Sequence, residues 1–174
     1  MEPFDAMTDH RHKETMQEFE KILRLEEPGD EPDKSIYWIS YLANHFTIPA
    51  YRDISLDLEL TRHEALILLS LGSLRDGLTA GEIASVSGRP KNSVSRAVAT
   101  LEARKLIRRQ QRTADKRQQP LSITPAGRKL FGDINARLQA RSRVAVSVLT
   151  NQERRQLNAL LAKLVRGSVE WADQ

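Results

Sequence analysis

Lys91, Asn92, Ser93, Ser95 and Arg96 put five polar side chains into six consecutive positions. These are the groups that read or grip nucleic acid. A guanidinium fits the O6 and N7 edge of guanine, and a carboxamide pairs with adenine. Ammonium and hydroxyl groups more often fix register on phosphates. A second cluster follows downstream, where Arg112, Lys116 and Arg117 surround Asp115. A carboxylate is odd in a loop meant for phosphates, so its expected work is local. It can accept backbone N–H bonds in the turn or hold Arg117 in a bidentate pair. Arg112 and Lys116 are then the freer contacts. Between residues 88 and 117 there are ten Lys or Arg against two acids, Glu102 and Asp115, a balance of +8 in a chain of net +4. The remainder is net negative. A positive field gathered on one short stretch suits a polyanion.

Other chemistries find less support. There is no cysteine, which excludes disulfides, thiolate metal sites and thiol redox sensing. His10, His12 and Glu14 form the one close metal-type cluster, without a fixed third and fourth ligand. There is no glycine-rich phosphate loop and no His–Glu–x–x–His, and Ser93 and Ser95 lack a partnered base. No enzyme activity, cofactor or metal is expected. Tyr37, Trp38 and Tyr41 with His45 form an aromatic surplus near the residue 61–74 helix, where Arg62 and His63 could meet an anion. These six residues are the candidate effector pocket. Ordinary core aromatics and surface histidines remain the alternative. No apolar run reaches the ~20 residues that span a membrane. The first thirty residues are acidic and polar, without the look of a signal peptide. The expected location is the cytoplasm.

Helical and turn signals place these groups. Residues 1–34 hold eleven acids and five bases. Met16, Phe19, Ile22, Leu23 and Leu25 could line a short helix in this acidic arm, and Glu26, Glu27, Pro28 and Gly29 begin a break. Residues 35–60 show Ile36, Ile39, Leu42, Ala43, Phe46 and Ala50 at helical spacing, and Pro49 is expected to kink or divide that helix. Thr61–x–x–Glu64 is a capping box opening a buried helix. Thr79–x–x–Glu82 is a second, opening a two-turn helix with Ile83, Ala84 and Val86 inward.

A turn at Ser87, Gly88 and Arg89 leads to a helix with Pro90 in its first position. Val94, Ala97, Val98 and Leu101 form its inward stripe, leaving Lys91, Asn92, Ser93, Ser95, Arg96 and Thr100 outside. That is the look of a recognition helix in the major groove. Residues 106–111 and 118–123 read as two strands of a basic hairpin, or wing. Pro120 is expected to turn its nitrogen outward. Thr124 and Pro125 begin a helix reaching about Val148. Thr150–x–x–Glu153 is a third capping box, opening a final helix marked by Leu157, Leu160, Leu161, Leu164 and Val165. The apolar excess of these last helices predicts a homodimer.

The pieces, in this order, resemble the multiple-antibiotic-resistance-regulator (MarR) family. They are Leu60–Thr61, Leu78–Thr79 with Glu82–Ile83–Ala84, Ser93–Val94–Ser95–Arg96, Leu101–Glu102 and Leu106–Ile107–x–Arg109. Last come Asp115–Lys116–Arg117 and then Leu121–Ser122–Ile123–Thr124–Pro125–Ala126–Gly127, where the family writes Asp–x–Arg and Leu–Thr–x–x–Gly. The resemblance covers about residues 35–165. It implies a mainly α fold with a small two-stranded β-wing, a winged helix-turn-helix with N- and C-terminal dimerisation helices. The organisation is then an acidic arm at 1–34, a dimerisation helix region at 35–60, the DNA-binding domain at 61–124 and dimerisation helices at 125–174.

By resemblance the protein is a homodimer on pseudo-palindromic double-stranded DNA, usually a repressor. Ser93, Ser95 and Arg96 then lie on the recognition helix, and Asp115 and Arg117 shape the wing. Many such proteins release DNA when a small aromatic acid or phenol binds. The absence of cysteine removes the peroxide-sensing branch, and Pro90–Lys91–Asn92 is this chain's own lead into the helix. The alternatives are a winged-helix protein-interaction or assembly module, or constitutive DNA binding without an effector.

Overall fold

A computed structural model describes residues 35–73, 77–110 and 119–171. The acidic arm and its expected short helix lie outside the described residues. Six helices and two strands follow in order: α1 (Ser35–Leu58), α2 (Arg62–Ser73), α3 (Ala80–Ser87), α4 (Lys91–Ala103), β1 (Ile107–Arg109), β2 (Leu121–Ile123), α5 (Pro125–Ala145) and α6 (Asn151–Trp171). The described residues fall into two units that divide after His45. The first contributes the opening turns of α1, with Ile36, Tyr37 and Leu42 exposed.

The core of the second unit is built from one stripe of each element. α2 supplies Ala65, Ile67, Leu68 and Leu71, and packs on both α4 and α5. Ile54 of α1, Ile83 of α3, Val94, Val98 and Leu101 of α4, Ile107, Leu121 and Ile134 of α5 close around it. The strands pair antiparallel, with Ile107 opposite Ile123, Arg108 opposite Ser122 and Arg109 opposite Leu121. On the other side of β2, Leu121 pairs with Leu78 just before α3: Gly77 N–H donates to Leu121 O at 2.8 Å, and Leu121 N–H to Leu78 O at 2.9 Å. The wing is thus sewn to the entrance of the helix-turn-helix. Among the described residues no helix is long and apolar enough to cross a membrane.

Several expectations need correction. Pro49 lies inside one continuous α1 and does not divide it. A proline removes a single i→i−4 bond, and burial of Ala50 and Ile54 just beyond it holds the helix in place. Val86 is 70% exposed rather than inward. It lies about 200° round the helix from Ala84, off the buried stripe. Pro120 does not turn its nitrogen away from the ladder. Its carbonyl accepts from Gln110 N–H at 2.8 Å, and in a strand the N–H and C=O of one residue point the same way. The missing donor therefore faces β1. α5 stops at Ala145, with Val144 and Val148 exposed.

Candidate nucleic-acid interface

Local chemistry positions α4. Thr79 caps α3: its Oγ1 accepts from Glu82 N–H at 3.1 Å, and Glu82 Oε2 accepts from Thr79 N–H at 2.7 Å. Gly88 ends α3 at φ 61, a left-handed conformation that glycine adopts without a Cβ penalty. Gly88 N–H donates to Ser85 O at 3.3 Å, and Arg89 N–H to Ala84 O at 3.1 Å. This pair of reversed bonds is the Schellman ending, and it swings the chain sharply into α4. Pro90 stands at the cap of α4, one position earlier than expected, and makes no side-chain cap hydrogen bond.

Burial sorts the two faces of α4. Val94, Ala97, Val98 and Leu101 are buried, while Lys91, Asn92, Ser95, Arg96 and Thr100 are exposed. Ser93 is half-buried. The outward face therefore carries two cations, a carboxamide and two hydroxyls, with no carboxylate before the half-buried Glu102. Glu102 is itself engaged: its Oε2 accepts from Arg109 Nε at 3.0 Å, joining the end of α4 to β1. A surface charge count includes Arg109, but its charge is met within the fold. Arg108, its neighbour on β1, is exposed. Lys105, Arg108, Arg109 and Glu102 line an open cleft of about 470 Å³ with Gln119 and Thr124. Arg112, Asp115, Lys116 and Arg117 lie outside the described residues.

The six residues of the candidate effector pocket fall in different units. In the first, Tyr37 is 71% exposed, and Trp38 and Tyr41 are half-buried. The exposed His45 donates from Nδ1 to Tyr41 O at 3.1 Å, and its ring centroid lies 3.8 Å from that of Tyr41. In the second, the Arg62 guanidinium lies 5.1 Å over the Tyr51 ring, and His63 is half-buried. The reading of residues alone missed the Tyr51 partner of Arg62, although their separation across the α1–α2 joint brings them within reach. His10 and His12 lie outside the described residues. Among the described residues no group of three His, Asp or Glu is placed to hold a metal.

A family model described as the MarR family matches residues 58–118. No curated protein matches the sequence. Solved structures match the fold over most of the chain. A MarR-family transcriptional regulator from Silicibacter pomeroyi is 25% identical over 75% of this chain and 87% of its own, with TM-score 0.65. The Staphylococcus aureus regulator MepR, in complex with DNA, is 26% identical over 79% of this chain and 99% of its own, with TM-score 0.64. A MarR-family regulator from Listeria monocytogenes complexed with a 26mer DNA is 20% identical over 78% of this chain and 89% of its own, with TM-score 0.70.

Proposed function

We propose, from the MarR-family match over residues 58–118 and the fold shared with MarR-family regulators, that the chain is a winged helix-turn-helix transcriptional regulator of that family, a homodimer that reads a pseudo-palindromic site in double-stranded DNA. The observation that carries the reading is the split of α4: an apolar stripe locked in the core, and Lys91, Asn92, Ser95 and Arg96 exposed without a neighbouring acid. In the proposed complex α4 enters the major groove. Arg96 reads guanine and Asn92 adenine. Lys91, Ser93, Ser95 and the wing bases Arg112, Lys116 and Arg117 hold phosphates and set register. Asp115 shapes the wing. A two-fold axis places the two α4 helices about 34 Å apart, one turn of B-DNA.

The homodimer is supported by the last helix, where Leu160 and Val165 are 62% and 69% exposed. Repression, with release by a small aromatic or anionic effector, belongs to the same proposal. Such a molecule acts only by binding the DNA-competent and DNA-free arrangements with different affinity.

The test is selection of bound duplexes from a random pool at about 150 mM salt, followed by footprinting. A pseudo-palindrome with half-sites one turn apart is the expected result. Absence of enrichment, with no steep loss of affinity as salt rises, would overturn the reading in favour of a protein-interaction module.

A further inference from the structure

We propose that Arg104 is a positioning residue: it clasps the end of α4 to the joint between α1 and α2, and so sets the pitch at which α4 meets DNA. The proposal rests on the DNA-binding reading and deepens it. α4 ends at Ala103, with Arg104 as its cap. The exposed Arg104 side chain does not extend the basic face. It turns back across the fold, and Nη1 donates to the carbonyl of Glu59 at 2.7 Å.

Glu59 is no ordinary acceptor. It holds φ 51 between the last residue of α1 and the buried Leu60. A left-handed conformation is unfavourable for a residue with a Cβ, so the joint is a specific bend. Two further ties link the neighbouring segments through α5. Arg137 of α5 pairs with Asp57 in the last turn of α1. Thr124, the cap of α5, donates from Oγ1 to Lys105 O at 2.9 Å and from N–H to Leu106 O at 3.0 Å. Lys105 is itself left-handed, at φ 57. The last turn of α1, the end of α4, and the start and middle of α5 are thus joined by polar bonds behind the helix, remote in sequence from Lys91, Asn92, Ser95 and Arg96 near its start.

These ties have mechanical meaning. The apolar stripe sets how deep α4 sits, and the clasp fixes the end of the helix directionally. A helix of 13 residues is about 20 Å long, so one ångström of play at its end turns it by about 3°. In a dimer both helices must meet half-sites about 34 Å apart together. A stiff tether penalises a wrong spacing; a loose one forgives it.

The test uses the full chain with three probes: the duplex recovered by selection, the same duplex with one base pair inserted between half-sites, and a random duplex. Arg104→Ala is expected to bind the selected duplex up to about fivefold more weakly, the most that one hydrogen bond favouring the DNA-competent pitch can contribute. It should also lower discrimination against the inserted base pair, leaving the salt slope unchanged. Arg104→Lys, which keeps a donor and the charge, should restore much of both. If Arg104→Ala does not unfold cooperatively, Arg104→Gln carries the same test with the stem retained. Equal weakening on all three duplexes, with a salt slope smaller by about 0.9, would mean a direct phosphate contact and overturn the clasp. Unchanged affinity and spacing preference would overturn it too. If the wild type enriches no duplex, the DNA reading itself fails and the proposal falls with it.

Discussion

Gly127 sits where no other residue fits. A Cβ there would meet the carbonyl oxygen of Leu106 far inside contact distance, and Ile123 Cγ1 at 2.9 Å. That same carbonyl accepts from Thr124, so the first turn of α5 is pressed against the end of the recognition unit. Gly127→Ala should destabilise the protein by about 1–3 kcal/mol through overpacking, measured as a lower midpoint in denaturant at unchanged slope. The glycine was visible in the sequence as part of a family pattern. Its reason was not, because the atom it avoids belongs to a residue on another element. Arg96 is the opposite case, since its exposed place on α4 follows from helical spacing alone. Arg96→Ala is expected to cost about 1–3 kcal/mol on the selected duplex and much less on random DNA, read by titration of both. Equal losses on the two would assign Arg96 to phosphate instead.

Helix boundaries were legible because capping is local. Thr61, Thr79 and Thr150 each accept from the N–H three residues on, and Glu64, Glu82 and Glu153 reach back. Thr124 caps α5 in the same way, accepting from Gly127 N–H at 3.1 Å. α4 alone among the helices from α2 onward has no side-chain acceptor at its cap position. Long-range packing decided what sequence did not show. The continuity of α1 through Pro49 depends on the burial of the next turn, and the direction of Pro120 depends on its partner Gln110.

The box at α6 also makes a pH prediction. Hydrogen bonds from the Thr150 side chain and backbone hold the exposed Glu153 carboxyl below its ordinary value. A depressed folded pKa gives stability that is present above the unfolded value and lost as pH falls through the folded one. Amide protection in the first turn of α6 should therefore fall across that acid range. Glu153→Gln should flatten the dependence, and an unchanged profile in that variant would refute the assignment.

At the scale of the molecule, charge was easier to read than shape. The +8 window and the negative remainder are sequence facts, although one of those bases, Arg109, serves Glu102. The homodimer rests on apolar surface that a single chain leaves uncovered. Leu157, Leu160, Leu164 and Val165 recur along α6 at 38–69% exposure. Exposed leucines at helical spacing on one element support the proposed interface. Leu160→Glu is expected to shift the sedimentation mass at micromolar concentration from two chains toward one. Affinity for a two-half-site duplex should fall with it, because two linked contacts become independent ones. A wild-type protein that sediments as a single chain would remove the dimer from the proposal.

The stitch between Leu78 and Leu121 has a consequence for biosynthesis. The span matched by the family model ends at 118, yet the strand that anchors the entrance to α3 begins at Leu121. A growing chain therefore exposes every residue of the reading helix before it can acquire the strand that holds the preceding turn. Such a sequence-distant pairing must wait for its second half. A translation product that stops short of β2 carries the basic face without the pairing that holds the turn before α3.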